Sequence, residues 1–342
     1  MVDLDLFKRV VTARGVSGFE DPVRDLIVSE LKRMGIEPRI DSLGNIIAEI
    51  GLGDAVCLAC AHMDEVGLLA TYVEQDGKIR FRKVGGIDDR VLINQMVEIY
   101  DRDSGDLITR GVICVQPPHL QLRRDSQVVP WYDLYIDVGV ESRSDVESLG
   151  VRTPCPVCLD KRFEVIARGR IAVGRALDDR AGCYALLKVA ETLSSDPPKD
   201  RRVVLAWTVQ EEIGLRGSKA LSRLYSPSFV IVLDTMSCCN PVITGDAKMG
   251  GGPVLRILDN EFICSMKLLR EVLKIAKEDN IPVQVASAGG TTDALELQEI
   301  NVHTLPICVL CKYSHTCVEM CDLNDVDLWV RLTYKVLTHV RV

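Results

Sequence analysis

Four apolar, β-branched runs in this sequence lead into residues that could bind a metal or move a proton. One ends at His62, and a second, 203–209, runs into the adjacent glutamates Glu211 and Glu212. A third stops at Asp234, and a fourth leads to His315, while Asp178 stands at the start of a helical stretch. Each has an ordinary reading on its own: Asp178 as a helix cap, Asp234 as an Asx-turn residue, the two glutamates as a solvated strand-to-loop corner. Ionised carboxylates at the end of a buried strand are costly, however, unless something positive receives them. Together these residues supply two histidines and three carboxylates, with one glutamate to spare. That donor set suits a co-catalytic pair of divalent metals bridged by one carboxylate and a water.

Spacing suggests roles. Asp64 lies two residues beyond His62, on the same side of an extended chain, where it can accept the second ring N–H and fix the tautomer. One of Glu211 and Glu212 must stay unliganded to act as a general base, a role worth about 10²–10⁴-fold. The alternatives have less support. A glycosidase needs its two carboxylates about 5 Å or more apart across the scissile bond, which adjacent residues do not provide. Neither H-E-x-x-H nor G-x-S-x-G occurs, which leaves a mononuclear zincin or a serine hydrolase without its motif.

The elements that must carry these residues form an α/β rhythm. Runs this apolar read as parallel strands buried on both faces, and open α/β sheets bind ligands outside the carboxyl ends of their strands. A helix is expected to start at Asp21-Pro22 and stop at Gly35. Strands follow at 46–50 and 55–61. From about Thr71 the texture becomes all-β, with a hairpin signal at Gln75-Asp76-Gly77 and short strands separated by Asp, Ser, Gly and Pro turns. Helix–strand alternation returns after Arg170. The expected organisation is an α/β domain made of residues 1–70 and 162–342, with a small all-β domain, 71–161, inserted in it and offering edges for subunit contacts.

The 342 residues carry a net charge of −8 and no basic cluster, which argues against a nucleic-acid surface. No secretory leader is legible, and no window holds eighteen uninterrupted apolar residues, so neither export nor a membrane span is expected and the cytoplasm is the default location. Of thirteen cysteines, three pairs have C-x-x-C spacing. Cys57/Cys60 and Cys308/Cys311 fall in strand-like runs, where positions i and i+3 face opposite ways. Cys155/Cys158 reads as a loop and is the one candidate metal clip, although it lacks two further ligands. Most cysteines are expected to be reduced packing residues.

The sequence resembles the M42 metallo-aminopeptidases, which include the tetrahedral (TET) and glutamyl aminopeptidases. The matching pieces, in the family's order, are AHMDEVG (61–67), ALDDRAG (176–182), TVQEEIGLRGS (208–218), VLDT (232–235) and YSHTCVE (313–319). Weaker echoes are SGFE at Ser17, DSLGN at Asp41, VGGID at Val84, PPH at Pro117 and TDA at Thr292. The resemblance implies a mixed-sheet co-catalytic metallopeptidase domain and an inserted PDZ-like dimerisation domain, with dimers assembling into a tetrahedral dodecamer. It implies that His62, Asp178 and Asp234 hold one metal and Asp178, Glu212 and His315 the other, with Asp178 bridging. It makes Glu211 the general base and Asp64 the residue orienting His62, and it implies a cis peptide between Asp178 and Asp179. Two divalent ions follow, zinc first, with cobalt or manganese as alternatives, and short peptides as substrates. The chain departs from the family pattern at Thr316-Cys317, where Ser-Pro is usual, and at Gly289-Gly290-Thr291, where a third glycine is usual. Both places flank the expected substrate pocket. A deacylase on the same site, or a non-catalytic assembly protein on the same fold, are the competing readings.

Overall fold

A computed structural model describes residues 1–115, 128–160 and 162–341, so the PPH echo at 117–119 lies outside the described residues. Four parallel strands form the centre of the main sheet, in the order Arg201–Thr208, Ala55–His62, Phe229–Ser237 and His303–Lys312. Nearly every residue of these strands is buried, because helices cover the sheet. Leu177–Ser195 packs on Ala55–His62 and Phe229–Ser237, and Leu323–His339 packs on His303–Lys312. Two indoles tie helix and sheet together: Trp207 donates to the carbonyl of Cys183 at 3.1 Å, and Trp329 to that of Ile307 at 2.8 Å. Antiparallel strands extend both flanks. Ile46–Gly51 pairs with Arg201–Thr208 on one side; Glu319–Asp322, Ile171–Gly174 and Phe163–Ile166 follow His303–Lys312 on the other. The expected mixed α/β sheet is therefore present, and its parallel core delivers four carboxyl ends to one edge.

The all-β stretch closes into a six-stranded barrel. Its first strand, Gly67–Val73, begins ahead of Thr71, since the apolar residues Leu68 and Ala70 already face the barrel interior with Ile79, Ile99, Ile113 and Val157. The hairpin expected at Gln75-Asp76-Gly77 joins Gly67–Val73 to Ile79–Val84, with Gly77 at φ +83°.

Two expectations need correction. Cys155 and Cys158 are not in a loop: Cys155–Leu159 is a barrel strand, hydrogen-bonded to Gly67–Val73 and Met96–Tyr100. Cys155 points into the barrel core while Cys158 packs with Val16 and Tyr100, so strand alternation separates the two thiols and no clip forms. Asp234 does not end its strand either. Phe229–Ser237 continues three residues beyond it, because Asp234 and its successors pair in register with Cys308 to Cys311. A disulfide joins the neighbours Cys238 and Cys239, and nine of the other eleven cysteines are buried.

The loop that carries Glu211 and Glu212 is closed by backbone contact. The Gly217 N–H donates to the Val209 carbonyl at 2.9 Å, and Asn45 bridges them, accepting from Val209 N–H at 3.0 Å and donating to the Gly217 carbonyl at 3.0 Å. A Cβ at Gly217 would lie 2.5 Å from Asn45 Oδ1 and from the Val209 oxygen. Neither can retreat without opening the loop. Gly217→Ala is therefore expected to lower the thermal unfolding midpoint, with a cost of about 1–3 kcal/mol from overpacking; an unchanged midpoint in a scanning calorimeter would contradict this account of the loop.

Candidate metal centre

At the carboxyl edge of the parallel strands, all the residues singled out from sequence meet. His62 is the last residue of Ala55–His62 and is 3% exposed. Its Nε2 lies 3.4 Å from Asp178 Oδ1 and 3.9 Å from Asp234 Oδ1. On the far side of Asp178, His315 Nε2 lies 3.5 Å from Asp178 Oδ2 and 3.4 Å from Glu212 Oε1. Asp178 thus stands between two triads, His62–Asp178–Asp234 and Asp178–Glu212–His315, and turns one oxygen to each; a third group, His62–Glu211–Glu212, is also close enough to hold an ion. Glu211 Oε2 is 4.0 Å from His62 Nε2.

The local chain explains how these groups converge. The loops bearing these residues are entered through non-glycine residues in the left-handed region: Ala176 before Asp178, Gln210 before Glu211, and Tyr313 before His315, itself at φ +63°. Such turns cost of order 1 kcal/mol or more each and cluster at functional sites. The peptide between Asp178 and Asp179 is cis, as the family resemblance implies.

Asp64 plays a broader part than orienting His62. The His62 Nδ1 faces its backbone carbonyl at 3.2 Å and its carboxylate at 3.5 Å. The shorter contacts of that carboxylate are with the Glu211 N–H at 2.9 Å, the Glu212 N–H at 3.1 Å and the Ser17 hydroxyl at 2.6 Å. It therefore holds the backbone of both glutamates. The tautomer of His315 is set from the barrel side, where its Nδ1 meets the Gly86 carbonyl at 2.9 Å. Ser17 and Gly86 belong to the short SGFE and VGGID echoes, whose sequence carries no hint of these contacts.

Charge is the dominant property of the site. Asp64, Asp178, Glu211, Glu212 and Asp234 face two imidazoles, and Arg256, the cation beside Asp234, is already paired with Asp259 at 2.8 Å. Burial, then the negative neighbours Asp234 and Glu212, push Glu211 well above the carboxylate range despite the opposing pull of His62. Burial likewise raises Glu212 to about 7 and Asp234 well above its usual value. Asp178 moves the other way: burial opposes its charge, but hydrogen bonds from His315 and His62 hold it far below normal. Burial also works against the charge on both histidines, yet the carboxylates outweigh it, lifting His62 well above normal and His315 to about 10.

These features fit divalent cations. Nitrogen and oxygen ligands about 2.0–2.2 Å from one ion lie up to about 4 Å from each other; in each triad the imidazole lies that close to both carboxylates, and all three ligand atoms are within 4.8 Å of one another. The excess of buried carboxylate is the charge such ions would balance. The cluster opens into a cleft of about 520 Å³ lined further by Thr235, Ser237, Asn240, Gly290, Thr291 and Thr316. Two of these, Thr291 and Thr316, are at the positions where the chain departs from the family pattern.

A family model described as M42 glutamyl aminopeptidase matches residues 44–332. The lysyl aminopeptidase of Pyrococcus furiosus is 31% identical over the whole of this chain and 98% of its own length. The glutamyl aminopeptidase of Lactococcus lactis is 27% identical over 94% of this chain and 92% of its own. Among solved structures, the Pyrococcus horikoshii TET1 peptidase, which can assemble into a tetrahedron or a large octahedral shell, superposes with a TM-score of 0.92 at 40% identity, covering 98% of this chain and 99% of its own.

The Asp64 contacts lead to a measurable expectation. Asp64→Asn places an amide NH₂ where three donors already converge, leaving buried N–H groups unpaired at about 1–3 kcal/mol. The variant should melt at lower temperature and lose about 10–100-fold in kcat/KM on an aminoacyl amide; wild-type kinetics would remove Asp64 from the positioning machinery.

Proposed function

We propose a dinuclear metal aminopeptidase that removes N-terminal residues from short peptides, on the premise that this chain belongs to the M42 peptidase family. The carrying observation is that the two triads share Asp178 and use a different oxygen of it. In this reading His62, Asp178 and Asp234 hold one divalent ion and Asp178, Glu212 and His315 the other. Zinc is the first candidate, with cobalt and manganese as alternatives for a mixed nitrogen and oxygen set. When bound, the ions would supply an activated water nucleophile and polarise the scissile carbonyl.

The protein's own contribution is proton handling and alignment. Glu211 lies in the cleft beside His62 but outside both triads. Its position beside His62 and in the open cleft suits a base that takes a proton from the nucleophile and returns it to the leaving amine. Asp64 keeps the Glu211 and Glu212 backbones at fixed depth, which separates a proton-moving carboxylate from a ligating one. Asp178 is kept ionised by the imidazoles on either side, as a bridging ligand must be.

The remainder of the reading concerns assembly and place. Residues 1–70 and 162–342 would form the catalytic domain and 71–161 a dimerisation domain. By likeness to the TET peptidases, dimers would build a closed homo-oligomeric shell, a tetrahedral dodecamer in the first instance. Among the described residues no helix is long and apolar enough to cross a membrane, and the cytoplasm is the location proposed.

Two measurements test the proposal. Purified protein should contain two divalent ions per subunit, release free amino acids from unblocked peptides but not from N-acylated ones, and lose activity to a chelator. Cleavage of N-acyl substrates alone would move the assignment to a deacylase, and inactivity of the loaded protein across all aminoacyl amides would end the peptidase reading. Glu211→Gln should keep both ions while turnover falls by about 10²-fold or more; loss of metal with the substitution would instead make Glu211 a ligand.

A further inference from the structure

Glu319 has no role in the chemistry described above, yet it is 1% exposed and sits directly behind the cluster. Its Oε2 accepts the backbone N–H of Asp178 at 3.0 Å, and its Oε1 accepts the backbone N–H of His315 at 2.7 Å. Both amides belong to residues outside regular pairing. Asp178 has non-helical backbone angles at the start of its helix, and His315 has φ +63° in the loop beyond His303–Lys312. Sheet hydrogen bonds therefore do not reach them, and one carboxylate does instead.

The register explains why this position can do so. Glu319 opens the strand Glu319–Asp322, which lies between the two strands whose outgoing loops carry these ligands. It is paired across from Gly174, the last residue before the Asp178 turn. Its neighbour Met320 is paired with Lys312, the last residue before the His315 turn. The two loops diverge from the sheet at this point, and the side chain of Glu319 spans the gap. A carboxylate is acceptor at both oxygens, so one side chain can serve both amides at once. A glutamine can accept at only one, and its NH₂ would confront the other N–H.

We propose that Glu319 is a positioning residue that sets the separation of Asp178 and His315, and so the affinity of the Asp178–Glu212–His315 triad for its ion. This rests on reading the cluster as a metal centre. Asp64 does for the Glu211 and Glu212 amides what Glu319 does for these two, so each glutamate- or histidine-bearing loop of that triad is held by a buried carboxylate beneath its backbone.

The test compares wild-type protein with Glu319→Gln. Metal per subunit is measured by atomic emission after dialysis against graded free Zn²⁺, beside circular dichroism melting and kinetics with and without added Zn²⁺. The expected result is a folded variant whose more weakly held ion is lost at about 10–100-fold higher free Zn²⁺, with kcat recovering when Zn²⁺ is restored. Recovery on loading is what a merely structural lesion would not give. Metal affinity within twofold of wild type in a folded variant overturns the proposal. If Glu319→Gln does not fold, Glu319→Asp is read the same way, since it keeps the charge and shortens the reach. Amide hydrogen exchange of wild-type protein is the independent arm: the Asp178 and His315 amides should be protected, and fast exchange at either overturns the proposal. Wild-type protein that binds no divalent ion removes the metal-centre reading and this proposal with it; two ions in wild type and unchanged affinity in both variants remove this proposal alone.

Discussion

Like charges gathered in a largely buried site repel one another, and the rest of this structure is arranged around that repulsion. Asp178, Glu211, Glu212 and Asp234 lie within reach of two imidazoles at one edge of a buried sheet. Without compensation burial would neutralise most of them, as the raised positions of Glu211, Glu212 and Asp234 show. Asp178 escapes because imidazoles flank it on both sides, which makes it the natural bridge. A divalent pair would supply what the protein's own cations do not.

Holding such groups together also takes backbone. The loops that carry the cluster leave the sheet through left-handed turns at Ala176, Gln210 and Tyr313, conformations that persist only when surrounding contacts over-determine them. Those contacts are unusually polar for a protein interior. Asp64 collects two amides and a hydroxyl, Glu319 collects two amides, and Asn45 closes the loop between Val209 and Gly217. Each buried acceptor is matched to N–H groups that the sheet leaves over, which is how polar groups are accommodated in a core.

The barrel is coupled to the same centre. Gly86 lies just past the barrel strand Ile79–Val84, and its carbonyl sits on His315 Nδ1. A Cβ there would press on that ring at 3.3 Å, and one on Gly85 at φ +82° would meet Val66 at 2.7 Å. The two glycines let the barrel approach the imidazole closely, so a shift of the barrel against the sheet is felt at a candidate ligand.

Much of this was legible in the order of residues. Buried parallel strands are long apolar runs, so 55–61, 203–209 and the run into Asp234 stand out, and the polar residue at each end is conspicuous for the same reason. Alternating short strands and turns mark off the barrel. What the sequence determined by itself was thus local: which segments are strands, which polar residues follow them, and that their types suit two metals. The tertiary structure decided everything that depends on register between distant segments. Asp234 proved to lie within its strand because Cys308 to Cys311 pair beside it, and Cys155 and Cys158 proved to face opposite sides of a barrel strand. Gly86, Ser17 and Glu319 became parts of the centre because closed sheets and turns carry them there across sequence separations of 229, 47 and 141 from His315, Asp64 and Asp178. Periodicity reports which face a side chain takes, but only the packed sheet fixes what lies opposite it.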